Sequence, residues 1–492
     1  MIVGIDLGTS TSQVAVLRNG KPVIIENPEG DLSTPSIVAL TQDGEWIFGE
    51  KAKAQQIANS LGTVIEAKRV IGDPYIRYFL ANQSFTPKEI IAKLLEYIKH
   101  FAEASLGTVI DRAVITVPAY FSSRQRQEVF QAASMASLEA ARLINEPTAA
   151  AMAYGLNHLK EHSFGLVYDF GGGTFDVTVL ELYEGVMEVK ASSGNNRLGG
   201  KDIDELIIDL LKREFEARYK EAITDDDIKS LSYLKQRSEE AKIGLSSHES
   251  VHISIPFIKS IEGKPVSIEY DLERKELNRL ITHLVDKTMI SVQKALRDSG
   301  VKKDDLSFLL LVGGTTRIPY VRDRISDFLK LKPLKEIDPE FAVVTGAAIQ
   351  TGLMSDDYEK LDDLIVTDIC PYALGTAAVL QSGDRLIDGF LDILIEENST
   401  IPKTVVKVYQ TVHVNQRDVR ITAYQKRHDT DSRMAEDHLF LGEFVLTGIP
   451  EAPAGHEEVQ ISFTYNLNGI LEVEGMIVST GERKRLTIKN IR

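Results

Sequence analysis

Apolar and polar positions fall into two regimes along this chain. From Met1 to about Leu353, short apolar runs alternate with long stretches whose apolar positions recur at helical spacing, the pattern of α/β domains. One helix is marked at both ends: Thr86 caps it, Pro87 fits its first position, Glu89 completes a capping box and Gly107 ends it. Further helices are expected over 123–143, 202–219, 225–245, 272–299 and 339–352. From about Asp368, strict alternation takes over in Val406-x-Val408, Val419-x-Ile421-x-Ala423, Val459-x-Ile461-x-Phe463 and Leu471-x-Val473. Asn468-Gly469 supplies a hairpin turn, so this part predicts an antiparallel β-domain. Between the regimes lies an acidic run, 356–363, and then Leu364-Ile365-Val366. The run reads as a solvated linker, yet an exposed linker has little reason to carry three large aliphatics.

Composition narrows the class. A length of 492 residues suits about three domain-sized units. Apolar residues make up 43% and charged residues 26%, enough to bury several cores. With 56 basic and 72 acidic groups the formal charge is 56 − 72 = −16, which disfavours general binding to nucleic acid or anionic membrane. No apolar run approaches the ~20 residues that span a bilayer. The N-terminus carries no basic stretch or apolar leader core. A single cysteine, Cys370, excludes an internal disulfide and a thiolate metal cluster, and reads as a small packed residue. The expectation is a cytoplasmic multidomain protein.

An internal repeat carries the most chemistry. Val3-Gly4-Ile5-Asp6-Leu7-Gly8-Thr9-Ser10 is followed by Val14-Ala15-Val16-Leu17 and a turn at Asn19-Gly20. Leu166-Val167-Tyr168-Asp169-Phe170-Gly171-Gly172-Gly173-Thr174 is followed by Val177-Thr178-Val179-Leu180 and a turn near Gly185. Each copy is strand, Asp-x-Gly turn with a threonine, then strand: a hairpin whose tip exposes backbone N–H groups to a phosphate. One copy alone would be an ordinary glycine turn. Two copies with an aspartate at the same place imply two similar lobes clamping a polyphosphate. The familiar G-x-x-x-x-G-K-[ST] and G-x-G-x-x-G loops do not occur. Asp6 and Asp169 would stand beside phosphates of the same sign, where like charges about 4 Å apart cost about 4 kcal/mol at an effective dielectric near 20. A hard cation must lie between them, and Mg²⁺ with its retained waters suits the place.

Two further features fit a nucleoside. Leu309-Leu310-Leu311-Val312 runs into Gly313-Gly314, where backbone can approach a flat ligand closely. Glu239, Lys242 and Ser246 share one helical face, as a solvated stripe or as holders of ribose hydroxyls.

With these residues in order, a resemblance is specific. Gly4-Ile5-Asp6-Leu7-Gly8-Thr9, Ala113-Val114-Ile115-Thr116-Val117-Pro118-Ala119-Tyr120-Phe121, Ile144-Asn145-Glu146-Pro147-Thr148-Ala149-Ala150-Ala151, Asp169-Phe170-Gly171-Gly172-Gly173-Thr174-Phe175-Asp176 and Leu311-Val312-Gly313-Gly314-Thr315-Thr316-Arg317-Ile318-Pro319 resemble the seventy-kilodalton heat-shock chaperone family, DnaK type. Asn398-Ser399-Thr400-Ile401-Pro402 agrees, and the likeness covers essentially the whole chain. It implies an α/β actin-like (ribonuclease H-like, duplicated) ATPase domain in two lobes, about 1–160 and 161–355. A linker over 356–367 and an all-β antiparallel sandwich over 368–492 that binds peptides would follow.

The resemblance also assigns roles. Asp6 and Asp169 would order waters around Mg²⁺, and K⁺ is a further cofactor of such sites. Thr9, Ser10, Gly171, Gly172 and Gly173 would hold the phosphates of ATP or ADP, and Gly8, Thr11, Gly199 and Gly200 would also contact the nucleotide. Glu239, Lys242, Ser246, Gly313, Gly314 and Arg317 would hold adenosine. Lys68, Glu146, Asp169 and Thr174 match the catalytic set, in which positioning and charge neutralisation carry phosphoryl transfer. Pro118 and Arg126 match a relay to the peptide domain, and Arg142 and Asn145 lie where J-domain co-chaperones dock in relatives. Leu391, Tyr409, Val412, Val419 and Ile421 align with a peptide groove, though each reads equally as sandwich core. Expected partners are extended apolar segments of unfolded polypeptides, a J-domain protein and a nucleotide exchange factor, with neither nucleic acid nor membrane.

Departures from the family pattern are the loop between Gly375 and Pro402, Thr367 in the linker, Glu340-Phe341 and a short stretch from Gly72 to Thr86. The sequence ends at Ile491-Arg492, where relatives continue into a helical lid, so a lidless member or a truncated chain is expected to exchange peptides fast. Two other readings stay open: a small-molecule kinase sharing the hairpin clamp, and a nucleotide-gated scaffold or exchange factor with little hydrolysis.

Overall fold

The computed structural model describes residues 1–492 apart from 156, 157, 159–161, 356–364, 383, 384, 428, 429 and 488–492. The acidic run and Leu364 therefore lie outside the described residues. Backbone contacts divide the chain into two units. The first comprises Met1–Tyr120, Val129–Met187 and Ser193–Ile365, and the second Phe121–Glu128, Glu188–Ser192 and Val366–Arg492.

In the first unit the sequence repeat reappears as a repeat of topology. Strand β1 (Ile2–Asp6) turns back antiparallel into β2 (Thr11–Arg18), and β2 into β3 (Lys21–Ile24) through Asn19 and Gly20, both at positive φ. Helix α1 (Pro87–Leu106) has the reciprocal Thr86–Glu89 capping box and ends at Gly107 with φ 65°. It leads to β4 (Arg112–Val117), parallel to β1, and β5 (Glu139–Asn145) lies parallel to β4, giving the order β5-β4-β1-β2-β3. After α2 (Glu146–Gly155), β6 (Ser163–Phe170) folds back antiparallel onto β7 (Phe175–Tyr183). Helices α3 (Gly200–Tyr219), α4 (Ile228–Gly244) and α5 (Arg274–Ser299) follow, and then β8 (Leu306–Val312) joins parallel to β6. A central hairpin with a parallel neighbour on its first strand thus occurs twice, as β4-β1-β2 and as β8-β6-β7.

These strands are buried on both faces, as helix-covered sheets require. Tyr168, Phe170 and Phe175 pack edge to face beneath the second hairpin, and Tyr168 shares a 2.7 Å hydroxyl hydrogen bond with Thr288 of α5. Helix α6 (Ala342–Leu353) closes the unit.

One expected helix is corrected. The stretch 123–143 is helical only over Ser123–Met135, and Glu139–Leu143 belong to β5. The alanine-rich segment has high helical propensity, but Ser137 at φ 53° ends the helix and pairing beside β4 buries Leu138, Ala140 and Leu143. Tertiary pairing overrides propensity there. Similarly, Leu272 and Glu273 belong to the strand Lys264–Glu273, and α5 starts at Arg274.

The second unit contains two four-stranded antiparallel sheets. The strands of these two sheets are β9 (Leu374–Ser382), β10 (Arg385–Ile395), β11 (Lys403–Gln410), β12 (Asp418–Gln425), β13 (Leu439–Thr447), β14 (Glu458–Tyr465), β15 (Leu471–Ile477) and β16 (Arg483–Thr487). The orders are β10-β9-β12-β13 and β11-β14-β15-β16. Gly469, at φ 67°, turns β14 into β15 as the Asn-Gly pair predicts. The lengthened loop after Gly375 is an extension of the β9-β10 hairpin, still paired at Gln381 and Leu386. Alternate side chains face inward, and Ile421 of β12 reaches Gly475 of β15, where an added Cβ would stand 2.3 Å from its Cδ1. Cys370 is fully buried with its thiol 3.1 Å from the Tyr372 carbonyl oxygen, and burial pushes its pKa up to about 12. Among the described residues, no helix is long and apolar enough to cross a membrane.

Candidate functional site

The tips of the two hairpins meet. A Cβ added at Gly172 would fall 2.2 Å from Ser10 Oγ, and one at Gly173 would fall 2.8 Å from Thr9 Cγ2. Glycine at both places lets the tips meet with Ser10 and Thr9 in these rotamers; a methyl group there would make their side chains move. The second tip is fixed from behind: Gly171 N–H donates to Thr174 O at 3.1 Å, and Gly171 O accepts from Gly200 N–H at 2.9 Å and Thr315 Oγ1 at 2.8 Å. Gly313 sits at φ 82°, and a Cβ added there would stand 2.5 Å from the Phe170 carbonyl oxygen, a place no side chain can take.

A cavity of about 630 Å³ opens at this junction. Its lining includes Asp6, Gly8, Thr9, Ser10, Thr11, Lys68, Glu146, Asp169, Gly171, Gly172 and Thr174 at one end. Glu239, Lys242, Ser246, Gly313, Gly314 and Arg317 line the rest. Gly173, Gly199 and Gly200 stand behind this surface, as supports for the tip. A Cβ at Gly199 would fall 2.4 Å from Gly172 O.

Charge is concentrated at the junction. Lys68, on the short turn Ala67–Val70, is 4% exposed; its ammonium is 2.5 Å from Glu146 Oε1 and also donates to Leu7 O. Asp6 keeps one edge on the cavity and is walled in by protein elsewhere, and Thr116 Oγ1 donates to its Oδ1 at 2.6 Å. Burial, reinforced by Glu146, raises the Asp6 pKa from 3.8 to about 6. Burial first, then Glu146, Asp176 and Asp6, push Asp169 well above the carboxylate range. Three acids around one ammonium lack positive charge, and the residues present fit a divalent cation held through water at Asp6 and Asp169, with no group of three or more metal-ligating side chains among the described residues.

At the far end, Glu239 and Lys242 face the cavity from α4. Lys242 pairs with Asp204 at 2.8 Å and donates to Gly200 O at 3.1 Å. Arg317 bridges Asp338 at 3.1 Å and Glu340 at 3.0 Å, and Glu340 accepts from Ser33 Oγ at 3.0 Å. Sequence reasoning missed Thr116, Lys201, Asp204 and the use made of Glu340. Thr116 is the one polar residue in the buried run from Ala113 to Val117, a signal that was legible.

A family model described as Hsp70 protein matches residues 2–81 and 72–492. The chain belongs to the Hsp70 family. Members of the Hsp70 family are ATPases and ATP-dependent chaperones; they generally bind ATP or ADP with Mg²⁺, and typically bind unfolded polypeptides, J-domain proteins and exchange factors.

Other assigned Hsp70 residues are distributed as follows. Pro118 is buried in the first unit, and Arg126, 3% exposed, donates from Nε to Phe121 O at 3.1 Å. Arg142 and Asn145 lie on β5. In the second unit Leu391 and Ile421 are buried, at 6% and 1% exposure, within the packed interior. Tyr409, Val412 and Val419 are half-buried; the Tyr409 hydroxyl donates to Asp392 Oδ2 at 2.7 Å, and burial with that carboxylate raises its pKa.

Proposed function

We propose that this Hsp70-family protein hydrolyses Mg-ATP between the two hairpin tips and uses the nucleotide state to control binding of extended apolar peptides by its β-sandwich. The observation that carries the reading is the junction itself: hydroxyls of Thr9 and Ser10 against Gly172 and Gly173, with Lys68, Glu146, Asp6 and Asp169 around it. Backbone N–H groups of Gly8 to Thr11 and of Gly172 cradle the phosphates, with Gly171, Gly173, Gly199 and Gly200 bracing them. Magnesium, when bound with the nucleotide, supplies the positive charge that lets phosphates approach two aspartates. Lys68 holds the terminal phosphate by its ammonium, and Glu146, already paired with Lys68, orients the attacking water and accepts its proton as Thr174 fixes the water's far side. Each is a positioning or charge effect aimed at the transferred group. Glu239, Lys242 and Ser246 take the ribose, and Gly313, Gly314 and Arg317 the base.

The domain assignment in this proposal is ATPase over 1–355, linker over 356–367 and peptide-binding sandwich over 368–492. Pro118 and Arg126 relay between them, and Arg142 and Asn145 receive a J-domain. The groove draws on the half-buried Tyr409, Val412 and Val419, with Leu391 and Ile421 backing it from the packed interior; backbone hydrogen bonds accept any sequence and a central pocket selects a large aliphatic. The test is a fluorescent apolar peptide bound under ADP and chased with Mg-ATP. Rapid release that requires hydrolysable or bound ATP is expected, and release indifferent to nucleotide would overturn the coupling.

A further inference from the structure

We infer that Lys201 is a positioning residue that holds the two walls of the cleft together around the nucleoside and so sets nucleotide residence time, an inference that rests on the nucleotide-site reading above. Lys201 is the second residue of α3, and its backbone N–H donates to Gly172 O at 2.9 Å. Its side chain, 17% exposed, lines the cavity. The ammonium stands 3.2 Å from Glu239 Oε1, 3.6 Å from Glu66 Oε1 and 3.7 Å from Asp204 Oδ2. Glu66 precedes the turn that carries Lys68, whereas Glu239 lies on α4. One ammonium therefore joins the wall of the catalytic lysine to the wall assigned to the ribose.

The neighbourhood is built for this. Burial alone would pull the Lys201 pKa down, but Glu239, Glu66 and Asp204 together hold it above the ordinary lysine value. Burial would raise the Glu239 pKa, and Lys201 and Lys242 keep it below its usual value, so the carboxylate is ionised and ready to accept from a hydroxyl. A charge-assisted N–H···O bond is usually 2.7–2.9 Å long. All three contacts of Lys201 are longer, so its ammonium is shared among three carboxylates rather than committed to one. Beside it, Arg69 grips both oxygens of Asp202 at 2.7 and 2.9 Å, a fixed strap across the same seam. The seam thus carries two ionic links, Arg69 to Asp202 and Lys201 to Glu66 and Glu239, and only the second lies against the cavity.

The experiment measures release of a fluorescent ADP analogue from the full chain with Mg²⁺ by stopped flow, for the parent, K201Q, K201R, E66Q and K201Q/E66Q. Inorganic pyrophosphate competition serves as the nucleoside-free probe. Release about tenfold faster in K201Q is expected, with K201R within about twofold of the parent. The double variant should release no faster than K201Q, because the two residues form one link. Pyrophosphate competition should stay unchanged. Unchanged release in K201Q, independent multiplication of the two single effects, or loss of pyrophosphate binding in step with ADP would each overturn the inference. If K201Q does not fold, E66Q alone must still speed release, and unchanged release there overturns it too. A parent that binds no ADP analogue would instead defeat the underlying nucleotide reading.

Discussion

The interior of the cleft and the interior of the sandwich solve opposite problems. In the cleft, Lys68, Glu146, Asp169, Asp204 and Lys242 are all buried or nearly so, and their charges satisfy one another only in part. In the sandwich, Ile421, Phe463, Val473 and Leu471 fill the space between sheets without a charge among them. A buried charge left short of a partner is costly. In the function proposed above a ligand completes the charges of the cleft, whereas the sandwich interior is packed chiefly by aliphatic and aromatic side chains. Removing a group from the first should therefore change chemistry more than stability, and removing one from the second should do the reverse.

The sharpest break of that contrast is at Glu146. The variant E146A should still bind ATP yet lose hydrolysis by about 10²–10⁴-fold in single-turnover assays. Hydrolysis at the parental rate would place the water-orienting role elsewhere. Next comes I421A, which should cost about 2–5 kcal/mol in the unfolding of the second unit, read by chemical denaturation. If it weakens peptide binding with stability intact, Ile421 belongs to a groove rather than to the packed interior. G172A tests the meeting of the tips. The added methyl crowds Ser10 Oγ, so ADP affinity should fall by about tenfold or more, and S10A in the same chain should restore part of it.

The smallest effect is a pH dependence. The Asp6 carboxyl, raised to about 6 chiefly by burial, is largely protonated at pH 5 in the ligand-free protein and must ionise to meet a cation. Mg-ADP affinity should thus weaken by up to about tenfold per pH unit below about 6, with proton release measurable by calorimetry in two buffers. The same shift has the opposite sign for the ligand-free fold. The folded chain binds this proton more tightly than the unfolded chain, so its contribution to stability is present below 3.8 and is lost as pH rises toward about 6.

How much was legible follows the same division. The hairpin repeat, the capped helix α1 and the Asn-Gly turn are local signals, and each reappears in the structure at the residues that announced it. The strand Glu139–Asn145 was not legible, because its helical composition is overruled only by pairing beside β4. The hairpin-tip residues that the proposal gives to phosphate were identifiable as cavity-lining, since glycine and aspartate have few other uses in that repeated pattern. Lys201 was not, for a lysine at the start of a helix is ordinary until Glu66 and Glu239 are seen on either side of it. The alternating residues Val419 and Ile421 were readable as facing one way, but sequence does not say whether that way is a groove or the opposing sheet.

The central claim is that both hairpin tips grip one metal–nucleotide unit. Calorimetric titration of ADP with and without Mg²⁺, on the parent and on D6N and D169N, tests it most directly. The account predicts at least a tenfold tightening by Mg²⁺ in the parent and little or none in either variant. ADP binding to the parent that is indifferent to Mg²⁺ would contradict it.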